Sequence, residues 1–299
     1  MNATQRPELT PSILVTGATG TIGSLIIERL AAAGANVHAL VRQQGKVRFP
    51  AGVTEIVGDL TDVPSLRAAL SSVRTVFLLN AVTPDEVTQA LIALNLAREA
   101  RIERIVYLSV IHADKYTNVP HFTSKHTVER MIETLDIPAT ILRPAYFMQN
   151  ERTVQQAIQN YGVYPMPIGS AGVSMIDTRD IADIAVAELQ RRDRAPTALP
   201  RVTLDLVGPD ALTGTAAAKI WSTALGRDVT YAGDDVAAFE KQMASFGPAW
   251  LAYDMRLMMS GIQKFGMHGE AGAVDRLQAI LGRPLRTYAE FVREAVGAA

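Results

Sequence analysis

Three glycines, Gly17, Gly20 and Gly23, stand at the spacing G-x-x-G-x-x-G inside "LVTGATGTIGSLIIERL", residues 14–30. Glycines at this spacing suit an anion cradle. The first permits a tight turn, the second lets backbone approach a pyrophosphate with no Cβ in the way, and the third lets a helix pack close to a strand. A helix opening there turns free N–H groups and the positive end of its dipole toward phosphate oxygens. Thr19, Thr21 and Ile22 belong to the same corner. A second pair lies further along, in "HFTSKHTVER": His121 and Lys125, four residues apart. On a helix that spacing brings both side chains to one face, and an imidazole can trade a proton near neutrality.

The corner has this chemistry only if a strand leads in and a helix leads out. "SILVTG" (12–17) reads as a buried parallel strand, short, β-branched and ending in glycine. Ile22, Leu25, Ile26 and Leu30 then form an apolar stripe along a helix over Thr21 to Ala33, with Gly34 as its stop. The alternation continues, with strands at 36–42, 53–59, 75–80, 104–110 and 138–144. Helices are expected at 62–70 (capped by Asp62), 84–100 and 123–135. Strands alternating with helices mean βαβ crossovers and a parallel sheet covered on both faces.

Past Ala145 the rhythm loosens. A loop at 164–172 precedes a helix at 177–192. A strand and turn follow over 201–214, then a helix at 212–226 capped by Thr213 or Thr215, and helical pieces around 235–245, 249–264 and 287–296. The expected fold class is α/β: a doubly wound parallel-sheet Rossmann fold with a smaller, mostly helical C-terminal lobe. The expected division is an NAD(P)-binding Rossmann domain over 10–150, with returning elements near 173–192 and 201–208, and a substrate-binding lobe over 151–172 and 209–299.

Composition narrows the class. Of 299 residues, 48% are hydrophobic and 20% charged, which supplies a sizeable core, and a net charge of −1 leaves no basic field for nucleic acid. The absence of cysteine excludes disulfides, thiolate zinc sites and cysteine nucleophiles. Scattered histidines without acidic partners point to no metal site. No run of about 18 uncharged apolar residues occurs, and "MNATQRPELTPS" lacks the build of a signal peptide. A soluble cytoplasmic protein is expected, with no membrane or nucleic-acid partner; a homodimer stays open.

The second strand bears on which dinucleotide the corner would hold. An NAD site usually has Asp or Glu at the end of that strand. Here it ends "ALVRQQGKVR", with no acid between Glu28 and Glu55. Arg42 at the strand end, followed by Lys46, suits a 2′-phosphate, so NADP(H) is expected over NAD(H). Arg48 reads as a solvated loop charge.

"TGATGTIG" at the corner, "GDLTD" (58–62), "ILRPAYFMQN" (141–150), "DTRDIADIA" (177–185) and "GRPLRTYAEFVRE" (282–294) together resemble the NmrA-like branch of the atypical short-chain dehydrogenases/reductases. The resemblance implies NAD(P)(H) binding and a substrate cleft between a Rossmann domain and a C-terminal lobe. By position, Asp59 and Leu60 would contact adenine, Asn80 and Ala81 would pass near the cofactor ribose, and Pro144 to Phe147, Tyr146 among them, would flank the nicotinamide. Plain readings stand beside these: Asp59 capping a turn, Phe147 in a core. Members of the branch divide between NADPH-dependent reductases of quinones, azo dyes or triphenylmethane dyes and redox sensors that bind the cofactor and a protein partner.

Typical short-chain dehydrogenases carry Tyr-x-x-x-Lys, where the lysine holds the nicotinamide ribose and the tyrosine exchanges the proton. This chain has His121 in the tyrosine position, four residues before Lys125. Three readings follow: His121 is the proton donor, solvent is the donor, or the site is silent. Lys125, His121 and Tyr146 are the catalytic candidates, and Lys125 is also a ribose ligand. Ser109, at the end of the fifth strand, lies near where the superfamily places an oxyanion-stabilising hydroxyl.

"WLAYDMRLMMSGIQKFGMHG" (250–269) is rich in methionine and aromatics, with Gly261, Gly266 and Gly269 as hinges of a lid. Met258, Phe265 and Trp250 are candidates for lining a cleft there, and Met255 and Met259 for helix core. The expected function is an NADPH-dependent reductase passing hydride to a flat electron-poor small aromatic acceptor: a quinone, an azo or triphenylmethane dye, or an activated carbonyl or alkene. The alternative is a non-catalytic NADP(H)-binding redox sensor acting through a protein partner. A nucleotide-sugar epimerase or dehydratase shares the fold, but the missing tyrosine weakens it.

Overall fold

Continuous β-branched runs build the centre of the molecule. In the computed structural model, which describes residues 12–297, β1 (Ile13–Val15), β2 (Val37–Val41), β4 (Thr75–Leu78) and β5 (Ile105–Leu108) are almost wholly buried, as strands covered on both faces should be. With β3 (Val53–Val57), β6 (Ala139–Pro144) and β8 (Val202–Leu206) they form a seven-stranded sheet in the order β3-β2-β1-β4-β5-β6-β8. Strands β1 to β6 pair in parallel throughout. The order reverses between β1 and β4, which is the topological switch of a doubly wound sheet. The start of the expected domain at residue 10 and most of the segment read for a signal peptide lie outside the described residues.

The helices follow the predicted crossovers: α1 (Thr21–Ala32), α2 (Val63–Ser71), α3 (Glu86–Glu99) and α4 (Pro120–Thr134). Asp62 does occupy the N-cap of α2, but its side chain makes no capping bond there. Five elements escaped sequence reading: a 3₁₀ turn over Met148–Thr153, α5 (Gln155–Tyr161), the short pair β7 (Val163–Tyr164) and β9 (Thr230–Tyr231), and α10 (Ala273–Leu281). The remainder is α6 (Thr178–Arg194), α7 (Gly214–Leu225), α8 (Val236–Met243), α9 (Ala249–Phe265) and α11 (Tyr288–Gly297). Thr213 caps α7, its hydroxyl accepting from Ala216 N–H at 3.1 Å.

The chain divides into two compact units. The first holds the described residues through Ser109, Ser124–Leu142 and Ala182–Leu204; the second holds Val110–Thr123, Arg143–Ile181 and the chain from Asp205 onward. The division differs from the one expected. Residues 110–123 and 143–150 group with the second unit, which is therefore about as large as the first. Each unit has its own core. That of the first gathers Leu14, Leu66, Leu78, Leu94, Tyr107 and Ile141. That of the second gathers Tyr116, Phe122, Tyr164, Trp221, Met259 and Tyr288.

Buried charge ties distant segments within each unit. In the first, Arg192, fully buried, donates to Thr140 Oγ1 and to the carbonyls of Leu199 and Pro200. Burial pulls its guanidinium down to about 10. In the second, fully buried Asp180 accepts from Arg283, from the backbone N–H of Arg286 and from the Arg286 guanidinium. That clamp joins "DTRDIADIA" to "GRPLRTYAEFVRE". Arg179 strengthens it by pairing with Asp177 at 2.6 Å and Glu294 at 2.9 Å.

Candidate active site

The glycine corner lies where β1 ends and α1 begins. Gly17 has φ +62°, a left-handed conformation that penalises any side chain. A Cβ on Gly23 would lie 2.1 Å from the Gly17 carbonyl oxygen, so helix and turn touch only because it is missing. Gly20 is different. A Cβ there would meet nothing closer than the Gly17 oxygen at 3.3 Å, and the residue is exposed. The protein's own packing crowds a side chain here less than at Gly23, and a ligand approaching the backbone would need the position clear. Gly20 is also the N-cap of α1, with no side-chain bond and no acid in the first turn, so the helix end is left to an anion. Thr19 and Thr21 are exposed beside it, and Ile22 is buried beneath.

The corner is braced from β4. Thr16 Oγ1 donates to Leu79 O at 2.9 Å and accepts from Leu79 N–H at 2.8 Å. Asn80 follows. It is 3% exposed, its Nδ2 donates to Gln89 at 3.4 Å, and its Oδ1 is buried with no hydrogen-bond partner. A buried acceptor left without a donor costs stability unless a ligand supplies one. Ala81 is exposed next to it. Gly20 and Asn80 are thus two features of the fold that a bound dinucleotide would complete.

Arg42 and Lys46 are exposed after β2. A carboxylate reaches that loop after all: Glu55, on β3, accepts from Gly45 N–H at 2.8 Å. Leu60 packs against the first unit's core. Asp59 performs the plain role, Oδ1 accepting from Thr61 Oγ1 at 2.6 Å and Thr61 N–H at 2.8 Å. Those bonds, led by the Thr61 hydroxyl, hold its carboxyl below the usual range.

Lys125 is buried on α4, and its Nζ lies 2.6 Å from Glu86 Oε1 in the first turn of α3. It also sits 6.0 Å from the Tyr107 ring centroid. Burial, followed by the charges of Glu86 and Glu129, holds the Tyr107 phenol well above its usual range, so it stays protonated. Ser109 Oγ is occupied structurally, donating to Glu129 at 2.6 Å.

In the second unit, His121 Nδ1 lies 2.8 Å from Asp254 Oδ2. The His121 ring meets Phe122 edge-on at 4.7 Å, and Phe122 stacks on Tyr116 at 4.8 Å. Pro144 is buried, Phe147 is half-buried, and Tyr146 is 7% exposed within the second core. Burial, then the charge of Glu151, drives the Tyr146 phenol well above its usual range, so it can act as a hydrogen-bond donor but is a poor acid.

The hinge expectation for 250–269 needs correction. Gly261 lies inside the continuous helix α9, and a Cβ on it would come within 2.4 Å of the Tyr116 ring. Tyr116 Oη also donates to Gly266 O at 2.6 Å. These glycines serve close packing, and the segment is pinned. Met258 and Met259 are core, Met255 packs against it, and Trp250 and Phe265 are exposed.

Glu86 and Asp254 are the residues that sequence reading missed. Each had a sign: a lone acid in register with an apolar stripe. Glu86 shares its buried face with Ala90, Ala93 and Ala97, and Asp254 shares its own with Met258 and Ile262.

A doubly wound sheet whose first strand runs through a glycine corner into an uncapped helix defines the nicotinamide-dinucleotide class of Rossmann proteins. Residues 10–292 match the model of the NmrA-like family. An NAD(P)H azoreductase of Xenophilus azovorans is 33% identical over 286 residues, covering 94% of this chain and 96% of its own. The NADPH complex of the quinone oxidoreductase QOR2 from Escherichia coli superposes with a TM-score of 0.82 at 26% identity, over 94% of this chain and 99% of that one. Triphenylmethane reductase of Citrobacter sp. with NADP(H) shares the fold, with a TM-score of 0.79 at 24% identity over 95% and 99%. The chain belongs to the NmrA-like family and is an NAD(P)H-dependent oxidoreductase. Among the described residues no helix is long and apolar enough to cross a membrane, and no cluster of His, Asp and Glu could hold a metal ion.

Proposed function

We propose that the protein reduces flat, electron-poor acceptors, quinones and azo compounds foremost, and takes NADPH in preference to NADH. The observation that carries the cofactor side is Gly20, an exposed cap that leaves the open end of α1 with no side chain over it and no acid in the first turn. When bound, the dinucleotide supplies a hydride. Backbone N–H groups of Thr21 to Gly23 receive its pyrophosphate, with Gly17 and Gly20 keeping the approach clear and Thr19 beside it. Arg42 and Lys46 pair with the 2′-phosphate. Asp59 and Leu60 border the adenine. Asn80 Oδ1 accepts from a ribose hydroxyl beside Ala81, and Lys125 donates to the ribose through the N–H groups that Glu86 leaves free. Pro144, Tyr146 and Phe147 flank the nicotinamide. The acceptor class draws support from the names of the relatives, an azoreductase and a quinone oxidoreductase, and from the exposed rings of Trp250 and Phe265.

Two measurements test this reading. NADPH absorbance is followed against a panel of quinones and azo dyes, and turnover is expected. Retained NADPH binding with no oxidation by any flat acceptor would overturn the acceptor class. Titration of Arg42→Ala should weaken NADPH about tenfold and NADH far less; equal loss for both would remove Arg42 from the 2′-phosphate.

A further inference from the structure

Quinone and azo reduction require a proton as well as a hydride, and the second unit contains an arrangement suited to deliver one. Asp254 is fully buried on the apolar face of α9. One carboxylate oxygen lies 2.8 Å from His121 Nδ1, and the other is buried with no hydrogen-bond partner. The imidazole is held on a second side by the edge-on contact with Phe122. His121 Nε2 makes no bond to the described residues, and the side chain keeps 9% of its surface exposed. A buried ionic pair often contributes no more to stability than apolar side chains of similar volume, and its unpartnered oxygen adds a further cost. A buried acid with an unsatisfied oxygen, paired to an imidazole whose other nitrogen makes no bond to the described residues, has the features of a functional site.

We infer that Asp254 is a positioning residue for His121: its carboxylate keeps a proton on Nδ1 in both states of the ring, so the proton that comes and goes is the one on Nε2, and Nε2–H protonates the acceptor. The inference rests on the acceptor class proposed above. With a quinone, hydride from the nicotinamide adds two electrons and one hydrogen to one carbonyl oxygen. The proton from Nε2 goes to the other, giving the hydroquinone, an oxidised nicotinamide and a neutral imidazole that regains its proton from solvent. With an azo compound, hydride goes to one nitrogen and the Nε2 proton to the other, giving the hydrazo product. A cationic triarylmethane dye is neutralised by hydride at its central carbon and takes no proton.

That difference supplies the test. Asp254→Leu keeps the volume but offers Nδ1 no acceptor, so the ring loses the bond that fixes its tautomer. The expected loss in kcat is about a hundredfold or more for a quinone and an azo dye, with KM little changed. The loss for a cationic triarylmethane dye should be at least about tenfold smaller. Imidazole ¹⁵N NMR should find the neutral His121 proton on Nδ1 in the native protein and on Nε2 in the variant. If Asp254→Leu does not fold, His121→Phe should produce the same split between acceptors. Equal losses on all three acceptors, or an unchanged tautomer, would make the pair purely structural and overturn the inference. A native protein that reduces the cationic dye but neither quinone nor azo dye would also overturn it, with hydride transfer still standing. A native protein that binds NADPH and reduces none of the three would instead bring down the acceptor class itself.

Discussion

Lys125 Nζ lies 2.6 Å from Glu86 Oε1, and both side chains are more than nine-tenths buried. A lysine read from sequence as a free ribose ligand is therefore already charge-paired. Replacing either side chain breaks a buried charge pair. Glu86→Gln and Lys125→Met should each cost about 3–5 kcal/mol, and the double change should cost much less than their sum. Urea unfolding of the four proteins in a double-mutant cycle measures this; additive losses would show that the two charges are not coupled.

The two glycines of the corner should separate binding from folding. Gly23→Ala forces a Cβ to within 2.1 Å of the Gly17 oxygen and must displace α1, so both stability and cofactor affinity should fall. Gly20→Ala brings a Cβ to 3.3 Å from the same oxygen, a milder crowding, so stability should fall less than for Gly23→Ala, by about 1 kcal/mol, while NADPH affinity drops about tenfold or more. Thermal unfolding beside fluorescence titration gives both numbers, and unimpaired binding by Gly20→Ala would remove the pyrophosphate from that position.

Glu151 should make the protein weaken as pH rises. It is fully buried and accepts from Tyr164 Oη at 3.0 Å and Tyr288 Oη at 3.2 Å, yet burial pushes its carboxyl up from 4.5 to about 7. Between those values the folded protein keeps the proton and the unfolded chain has lost it. Stability from this group is therefore complete at acid pH and falls by at most about 3 kcal/mol as pH climbs through 4.5 toward 7. Glu151→Gln removes that dependence and keeps an amide oxygen to accept from one tyrosine, with its NH2 facing the other hydroxyl. The gain of the variant over the native protein in urea midpoints should grow from pH 5 to pH 8; a constant difference would show that Glu151 is ionised throughout.

The parts of the site that sequence revealed are local. Gly17, Gly20 and Gly23 declare a turn, an open approach and a close contact through the absence of a Cβ, and the flanking strand and helix announce themselves by apolar periodicity. Arg42 is read the same way, from its place at a strand end. Asp59, by contrast, could be adenine contact or turn cap on sequence, and its two bonds to Thr61 show that it caps the turn whatever else it borders. Gly261 looked like a hinge because glycine loosens an isolated helix. Its real reason, the face of Tyr116, lies 145 positions earlier in the chain.

Alternation of strands and helices, the glycine corner and the motifs of the branch are properties of neighbouring residues, so the sequence alone determined the α/β class, the glycine turn between β1 and α1, and the family. The pairing of charges is set by the path of the chain. Lys125 meets Glu86 across 39 positions, Asp180 meets Arg283 across 103, and His121 meets Asp254 across 133. No periodicity or spacing encodes such meetings. Only the tertiary structure decided them, because a buried charge takes as its partner whichever opposite group the packing of helices brings within reach.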